Sequence, residues 1–507
     1  MPCPVPSLVP FDAKTHPFAA ARTVTVPSPE MTSSPLDRAP RGPGEPALVQ
    51  LRTPVRGRFV PSRFNARTVA DDGRLVLWNT FTGSVSVFKP RDRARVVAAL
   101  SRTGVAEPLD RVGEYLRRRG YLVREGAAEL DQFRYHFARR HWRQDALELI
   151  LLASEDCNFR CVYCYEKFRN GTMLPEVRAG VRRLVEARAP RLSRLGVSWF
   201  GGEPLYGWEA VEELAPFFAE TARRHGLSFS HQMTTNAYLL TEARATRLLE
   251  WGCTRFQVTV DGLAAQHDCK RVGRDGSPTW QTVMENLRSL AGRRDALEVA
   301  VRVNFDHENL PGLAPFIEAL SEDFGGDARF VLRFKPVGRW GGDNDERLAV
   351  CGRDDRRAAL DGLRRQALEA DLRVEGGVRE LAGMGSQACY AARPFNFVVG
   401  ATGKLMKCTV VLDEMEENVV GRLLPDGRVD LSDERMARWV APHFENDAQC
   451  RGCYVLPGCQ GAACPLTRIQ SGTRTCCETR GELKREMRFT LAQADRRPGA
   501  VPVAAGG

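Results

Sequence analysis

Three cysteines within eight residues constrain this chain more than any other feature. Cys157, Cys161 and Cys164 form a C-x3-C-x2-C run inside the stretch Glu155 to Lys167. Spaced in this way, three thiolates gather on one small loop. A cubic [4Fe–4S] cluster is usually held by four thiolates, so three leave one iron open to something other than protein. The residues before the loop, Leu149 to Ala153, are apolar and unbroken, which predicts a short buried strand. Thirty-seven residues after Cys164 comes Gly201-Gly202-Glu203-Pro204, directly behind the strand-like Val197-Ser198-Trp199-Phe200. Thiolates also suit zinc, but a zinc loop has no use for that turn.

Strands and helices alternate from Leu149 onward. The predicted strands are Leu149–Ala153, Val197–Phe200, Ser228–Thr234, Phe256–Val260, Leu297–Phe305 and Phe330–Pro336. Helices such as Pro175–Arg188 and Trp208–Arg224 fill the gaps, the first with proline at a tolerated first-turn position. Alternation of this kind means a parallel sheet covered by helices.

The two motifs, in this order and separation, strongly resemble the radical S-adenosylmethionine (SAM) enzymes. The resemblance implies an α/β fold with a partial (β/α)6 TIM-like barrel, placed here at residues 146–345. It implies that SAM chelates the open iron and is cleaved to a 5′-deoxyadenosyl radical that abstracts hydrogen. Glu203 would then receive the SAM ammonium within the turn Gly201, Gly202, Glu203 and Pro204, glycine letting backbone come close to a ligand. Tyr163 matches an aromatic position next to the adenine. Thr235 and Asn236 resemble the segment near the SAM ribose and carboxylate, and Arg302 and Asn304 lie on a strand often associated with SAM. Asp261-Gly262 matches a Ser-x-Asp-Gly turn with Thr259 in place of the serine. His267, Asp268 and Arg271 follow as they commonly do in this subgroup, and His267 or Asp268 is a candidate acid or base. A loop turn or a helix cap is the alternative at each of these strand ends.

A second set of cysteines lies in residues 386–482. Cys389 is followed by thirteen residues, Gly403, four residues and Cys408; then come Cys450, Cys453, Cys459, Cys464 and the pair Cys476-Cys477. This resembles the cysteine-rich SPASM extension, with one departure: four residues rather than three precede Cys464, a step a backbone bulge absorbs. The resemblance implies two auxiliary [4Fe–4S] clusters. Cys389, Cys408 and Cys464 would hold one; Cys450, Cys453, Cys459 and either Cys476 or Cys477 would hold the other. Paired zinc knuckles are the alternative. Cys253, Cys269 and Cys351 fit neither pattern and are expected to be buried structural thiols.

Residues 1–55, rich in Pro, Ser, Thr and Arg, are expected to be a disordered leader, and Cys3 within it is no ligand. Residues 56–145 read as a small α+β module. It has a hairpin of Leu75–Trp78 and Val85–Phe88 about Thr82-Gly83, helices Asp92–Leu100 and Leu109–Arg119 stopped at Gly120, and a possible third strand at Tyr121-Leu122-Val123. Its shape is similar to the peptide-recognition domains that precede many peptide-modifying radical SAM enzymes. A charged helix starting at Arg353, running away from the barrel as a linker or a capping helix, occupies 346–385, and 483–507 is the tail.

The chain has 507 residues, enough for two to four domains. Its net charge is +10, but the basic residues are spread, and 65 of the 73 are arginine, which argues against a nucleic-acid surface. It contains no apolar run long enough to span a membrane and no secretory start, so a cytoplasmic protein is expected. Fifteen cysteines in such a chain point to metal rather than disulfides.

SPASM-bearing relatives mostly modify peptides or proteins. The resemblance therefore implies a maturase of a ribosomally made precursor peptide, supplied with electrons by a flavodoxin- or ferredoxin-type donor. A sulfatase-maturing enzyme forming formylglycine is the alternative. An electron-transfer protein without radical chemistry is a third reading, and the Gly-Gly-Glu-Pro turn opposes it.

Overall fold

The computed structural model describes residues 57–496 except 102, 379, 380 and 382. The expected leader and Cys3 lie outside the described residues.

Six parallel strands stand side by side in chain order: β7 (Ala146–Ser154), β8 (Arg194–Gly201), β9 (Ser228–Thr235), β10 (Cys253–Thr259), β11 (Glu298–Phe305) and β12 (Phe330–Pro336). Parallel neighbours need crossovers, and these are helical: α4 (Pro175–Arg188), α5 (Trp208–His225), α6 (Glu242–Glu250), α7 (Ala264–Lys270), α8 (Trp280–Gly292) and α9 (Leu313–Phe324). The aliphatic strand residues and the inner faces of these helices merge into one core containing Val197, Trp199, Leu214, Val258, Leu287, Val301 and Phe316. This is the expected α/β architecture, a partial TIM-like arc.

The arc is extended at both sides. Helix α10 (Arg353–Glu369) does not lead away as a linker. It packs on α9 and β12, and β13 (Arg373–Val374) then pairs parallel with β12. Leu363 and Ala367 explain the difference, because they give an otherwise charged helix a buried stripe. On the far side β14 (Asn396–Val399) pairs parallel with β7, and β15 (Lys404–Met406), β16 (Val419–Leu423) and β17 (Val429–Leu431) continue antiparallel, giving eleven strands in all.

Residues 57–145 form two small antiparallel sheets. One has β1 (Arg58–Pro61) between β5 (Val105–Ala106) and β6 (Leu122–Arg124). The other has β3 (Leu75–Asn79) between β2 (Asn65–Val69) and β4 (Val85–Phe88). Leu122 and Val123 are thus in a strand, but it pairs with β1 and not with the hairpin. Helices α1 (Pro90–Ala99), α2 (Arg111–Arg118) and α3 (Glu129–His141) complete the unit.

Residues 483–496, assigned to a tail by sequence, belong to a helix, Glu478–Arg496. Its Leu483, Met487 and Leu491 pack on Ala66, Val76, Trp78 and Val85 of the hairpin sheet. Arg74 clasps Asp495 through two hydrogen bonds of 2.7 Å.

Candidate functional site

The cysteine loop leaves β7 at Ser154 and folds back across the strand ends. The segment after α7 backs it like a short strand: Arg160 N donates to Val272 O at 2.9 Å, Val162 N to Lys270 O at 2.9 Å, and Arg274 N to Asn158 O at 2.8 Å. Nothing in the sequence marks residues 270–274 for this work beyond Arg271 in the His-Asp pattern.

The Gly-Gly turn presses on the same loop. Gly202 N donates to Ser154 O at 3.0 Å, and Glu203 N to Asp156 O at 3.1 Å. A Cβ on Gly201, whose φ is +114°, would stand 2.2 Å from Ser154 O, and one on Gly202 would stand 2.5 Å from Asp156 O. Both glycines are therefore required by backbone meeting backbone, in addition to any ligand.

Cys157, Cys161 and Cys164 line one cavity with Gly201, Gly202, Thr235, Asn236, Arg271 and Arg302. Phe159, Tyr165, Phe168 and Phe200 give it aromatic walls. All three thiols are free, and burial pushes each of them up, in favour of the neutral thiol. Glu166, also on the wall, is pushed up to about 8 by burial, then by Glu155.

Of the residues singled out in the sequence, Thr235, Asn236 and Arg302 reach the cavity. Asn236 Nδ2 lies 3.7 Å from Cys157 Sγ. Arg302 Nε donates to Asn304 Oδ1 at 2.8 Å. Glu203 is fully buried behind the wall. Its carboxylate accepts from Leu205 N at 2.9 Å, Thr235 Oγ1 at 2.7 Å and Asn236 N at 2.7 Å. A carboxylate has about four acceptor positions, so one remains, on Oε2. Pro204 opens the 3-10 turn that Glu203 caps.

Tyr163 is buried as well. Its hydroxyl contacts the Asp261 carboxylate and accepts from Arg271 Nη1 at 2.9 Å and Asn304 Nδ2 at 3.3 Å. Asp261 in turn accepts from Asn304 N at 2.9 Å. Asn309, which the sequence did not point to, ties Asp261 O and Asn304 O together at 2.9 Å each.

The two candidate proton-transfer residues stand elsewhere. Asp268 Oδ1 accepts from Thr279 N and Trp280 N, both at 2.8 Å, and so caps α8. His267 is fully buried in α7, with Nδ1 facing Asp261 N at 3.4 Å; burial keeps it far below its usual range. Neither lines the cavity.

The second cysteine set divides in two. Cys450, Cys453, Cys459, Cys476 and Cys477 line one cavity, so the structure brings both members of the neighbouring pair to one place. A hydrogen bond from Cys477 holds the Cys459 thiol down at about 6. Cys408 is buried within electrostatic reach of Cys389 and Cys464, and burial pushes it up to about 12. The extra residue before Cys464 is absorbed by two left-handed residues, Gln460 (φ 55°) and Gly461 (φ 66°). Cys253 and Cys351 are buried as expected, but Cys269 is exposed on α7. Among the described residues no three His, Cys, Asp or Glu side chains are gathered tightly enough for a single ion. Zinc–sulfur bonds of about 2.3 Å need a tighter set, whereas a cubane spreads its thiolates over separate irons. Three free thiols, glycine backbone and one cavity fit that larger group.

A parallel α/β arc carries three free thiols at the ends of its strands. The sequence profile of the Radical SAM superfamily matches residues 151–309. The chain is 25 % identical over 226 residues to the radical SAM cyclopropyl synthase TigE of Paramaledivibacter caminithermalis, covering 39 % of this chain and 46 % of TigE. It is 22 % identical over 333 residues to a serine-type anaerobic sulfatase-maturating enzyme of Klebsiella pneumoniae, covering 63 % and 82 %. The chain spans about half the length of several curated relatives it matches. The solved structure of native anSMEcpe with bound AdoMet and Cp18Cys peptide superposes with a TM-score of 0.51 at 18 % identity, over 69 % of this chain and 97 % of that one. It shares the fold. Among the described residues no helix is long and apolar enough to cross a membrane.

Proposed function

We propose that this chain is a radical SAM maturase of a ribosomally made precursor peptide, forming a thioether or carbon–carbon crosslink or a related change at a side chain. The observation that carries the reading is the single cavity shared by Cys157, Cys161, Cys164, Gly201, Gly202 and Asn236. When bound there, the cluster and SAM would supply the radical that abstracts hydrogen. The three thiols would hold the cluster; Asn236, Thr235 and Arg302 would meet SAM, and the remaining acceptor position of Glu203 its ammonium. Phe159, Phe168 and Phe200 exclude water, which protects a reactive species from side reactions.

The second set of thiols would hold two auxiliary clusters, one on Cys389, Cys408 and Cys464, the other on Cys450, Cys453, Cys459 and one of Cys476 or Cys477. Electrons would come from a flavodoxin- or ferredoxin-type donor. Residues 57–145 would bind the leader of the precursor, because binding energy from a remote segment positions the reacting carbon without crowding it. Strand addition is the natural mode. The outer strands of the hairpin sheet are β2 and β4, and on β2 the carbonyl of Val69 already accepts from Arg488 Nη2 at 3.5 Å. All four β4 residues are buried, whereas Arg67 and Val69 of β2 are exposed, so β2 is the edge a peptide would reach.

The test pairs the anaerobically reconstituted protein with peptides encoded in neighbouring reading frames. A mass change in the peptide with release of 5′-deoxyadenosine is expected, and R67E with V69K should weaken leader binding. Deletion of residues 1–145 is a poor substitute, since it would uncover Leu483, Met487 and Leu491. The alignment with a sulfatase-maturating enzyme over 63 % of the chain favours a second reading. Modification of a sulfatase-derived peptide, with precursor peptides untouched, would establish that reading instead.

A further inference from the structure

The proposed function leaves one buried cation of the main cavity unused. Arg271 is 5 % exposed and lines the cavity with all three cysteines of the loop. It projects from the segment that backs that loop: its neighbour Val272 accepts from Arg160 N, and Gly273 bridges Phe159. Its Nη1 donates to the Tyr163 hydroxyl at 2.9 Å, and its guanidinium carbon lies 5.6 Å from the centre of the Phe159 ring. Its Nε is buried with no hydrogen-bond partner. Among the described residues it makes no ion pair with a carboxylate. A buried guanidinium with no directly paired carboxylate is costly; the Asp261 carboxylate reaches it only through the Tyr163 hydroxyl, and the cavity it borders carries the three cysteines.

We infer that Arg271 sets the reduction potential of the cluster held by Cys157, Cys161 and Cys164, as a positioned positive charge in a desolvated wall. This rests on the proposed cluster at that loop. Uptake of one electron from an external reductant makes the cluster and its thiolates one unit more negative, and no proton need move. A fixed cation beside Cys161 stabilises that added charge more than it stabilises the oxidised form, so it raises the potential. The surrounding charge and hydrogen bonding of a cluster are the recognised levers on its potential. The bond to Tyr163, itself held by Asp261 and Asn304, keeps the guanidinium from swinging out.

The experiment is a redox titration followed by electron paramagnetic resonance on the anaerobically reconstituted full chain, reading the signal that SAM perturbs. R271Q should move its midpoint to a more negative value, and R271K, which keeps the charge, should stay near the wild type. R274Q removes an exposed cation of the same segment and should move it less than R271Q. An unchanged midpoint in R271Q with full iron content overturns the inference, as does an equal fall in R271K, which would point to packing rather than charge. If R271Q takes up no iron at this loop, R271K decides: a wild-type midpoint upholds the role of charge, and a lowered midpoint or failed loading refutes it. Absence of any SAM-sensitive iron signal in the wild type is a distinct result, and removes the cluster reading itself.

Discussion

The amide of Asn236 donates to Glu203 Oε2 at 2.7 Å. This bond crosses from the end of β9 to the turn after β8, and Thr235 Oγ1 adds a second at 2.7 Å to the other oxygen. Glu203 is thus a clamp between two strand ends as well as a candidate ligand group. Because Asn236 also points its side chain at Cys157, the clamp fixes the position of one cavity wall relative to the thiols.

Glu203→Ala should therefore destabilise the fold even without SAM. Three buried donors lose their acceptor, each costing roughly 1–3 kcal/mol, so a loss of at least about 3 kcal/mol is expected. Thr235→Val removes one of those donors and also the acceptor of Ala237 N, so it should cost about 2 kcal/mol, less than Glu203→Ala. Urea unfolding of both variants measures the difference, and equal effects would contradict the clamp.

Gly202→Ala tests the close approach of the turn to the loop. The added methyl meets the carbonyl of Asp156, which is backbone and has little room to yield. Overpacking of this kind costs about 1–3 kcal/mol or more. The variant should lose iron at the Cys157 loop while iron at the second cysteine set persists.

Iron content counts the clusters. Three cubanes need about twelve irons per chain, and joint replacement of Cys157, Cys161 and Cys164 by alanine should leave about eight. The same variant should release no 5′-deoxyadenosine from SAM under dithionite. Stoichiometric zinc without iron in the wild type would refute the count.

His231 gives the barrel a pH dependence. Trp199 Nε1 donates to His231 Nε2 at 2.7 Å, and His231 Nδ1 faces Trp251 O at 3.0 Å, an arrangement that suits the neutral ring. Burial holds its pKa down at about 4. With an unfolded value near 6.5, the neutral form is favoured on folding. This stability is complete above about pH 6.5 and falls as pH drops towards 4, by roughly 3 kcal/mol in total. His231→Gln, which does not titrate, should flatten the unfolding midpoint across that window.

Met487 joins the two ends of the described chain. It is fully buried against the hairpin sheet. Met487→Ala should cost about 2–5 kcal/mol. Hydrogen exchange should show β2, β3 and β4 losing protection together with the helix Glu478–Arg496, and protection lost in the helix alone would contradict a shared core.

The barrel was legible because strands such as β7 and β12 are largely buried and read as apolar runs, and because the cysteine and glycine motifs sit at strand ends. Gly201, Gly202, Thr235, Asn236 and Arg302 came together as their positions after strands implied. Asp268 looks the same in sequence whether it transfers protons or caps a helix, and only the amides of Thr279 and Trp280 distinguish the two. The backing segment at 270–274 and the bond of Asn309 to Asp261 depend on long-range register, which leaves no local pattern. The C-terminal helix was missed for a similar reason: Leu483, Met487 and Leu491 recur at helical spacing, but charge surrounds them, and their partner sheet lies some four hundred residues earlier.

That partner sheet has a consequence for biosynthesis. Residues 57–145 leave the ribosome with Val76, Trp78 and Val85 still lacking the helix that covers them, and the cover is complete only when Arg496 has been made. At 5–20 residues per second the interval is on the order of 20–70 s. During it the nascent hairpin exposes an apolar face suited to chaperone capture. The second cysteine cavity, part of whose wall precedes that helix, closes only after translation has passed it.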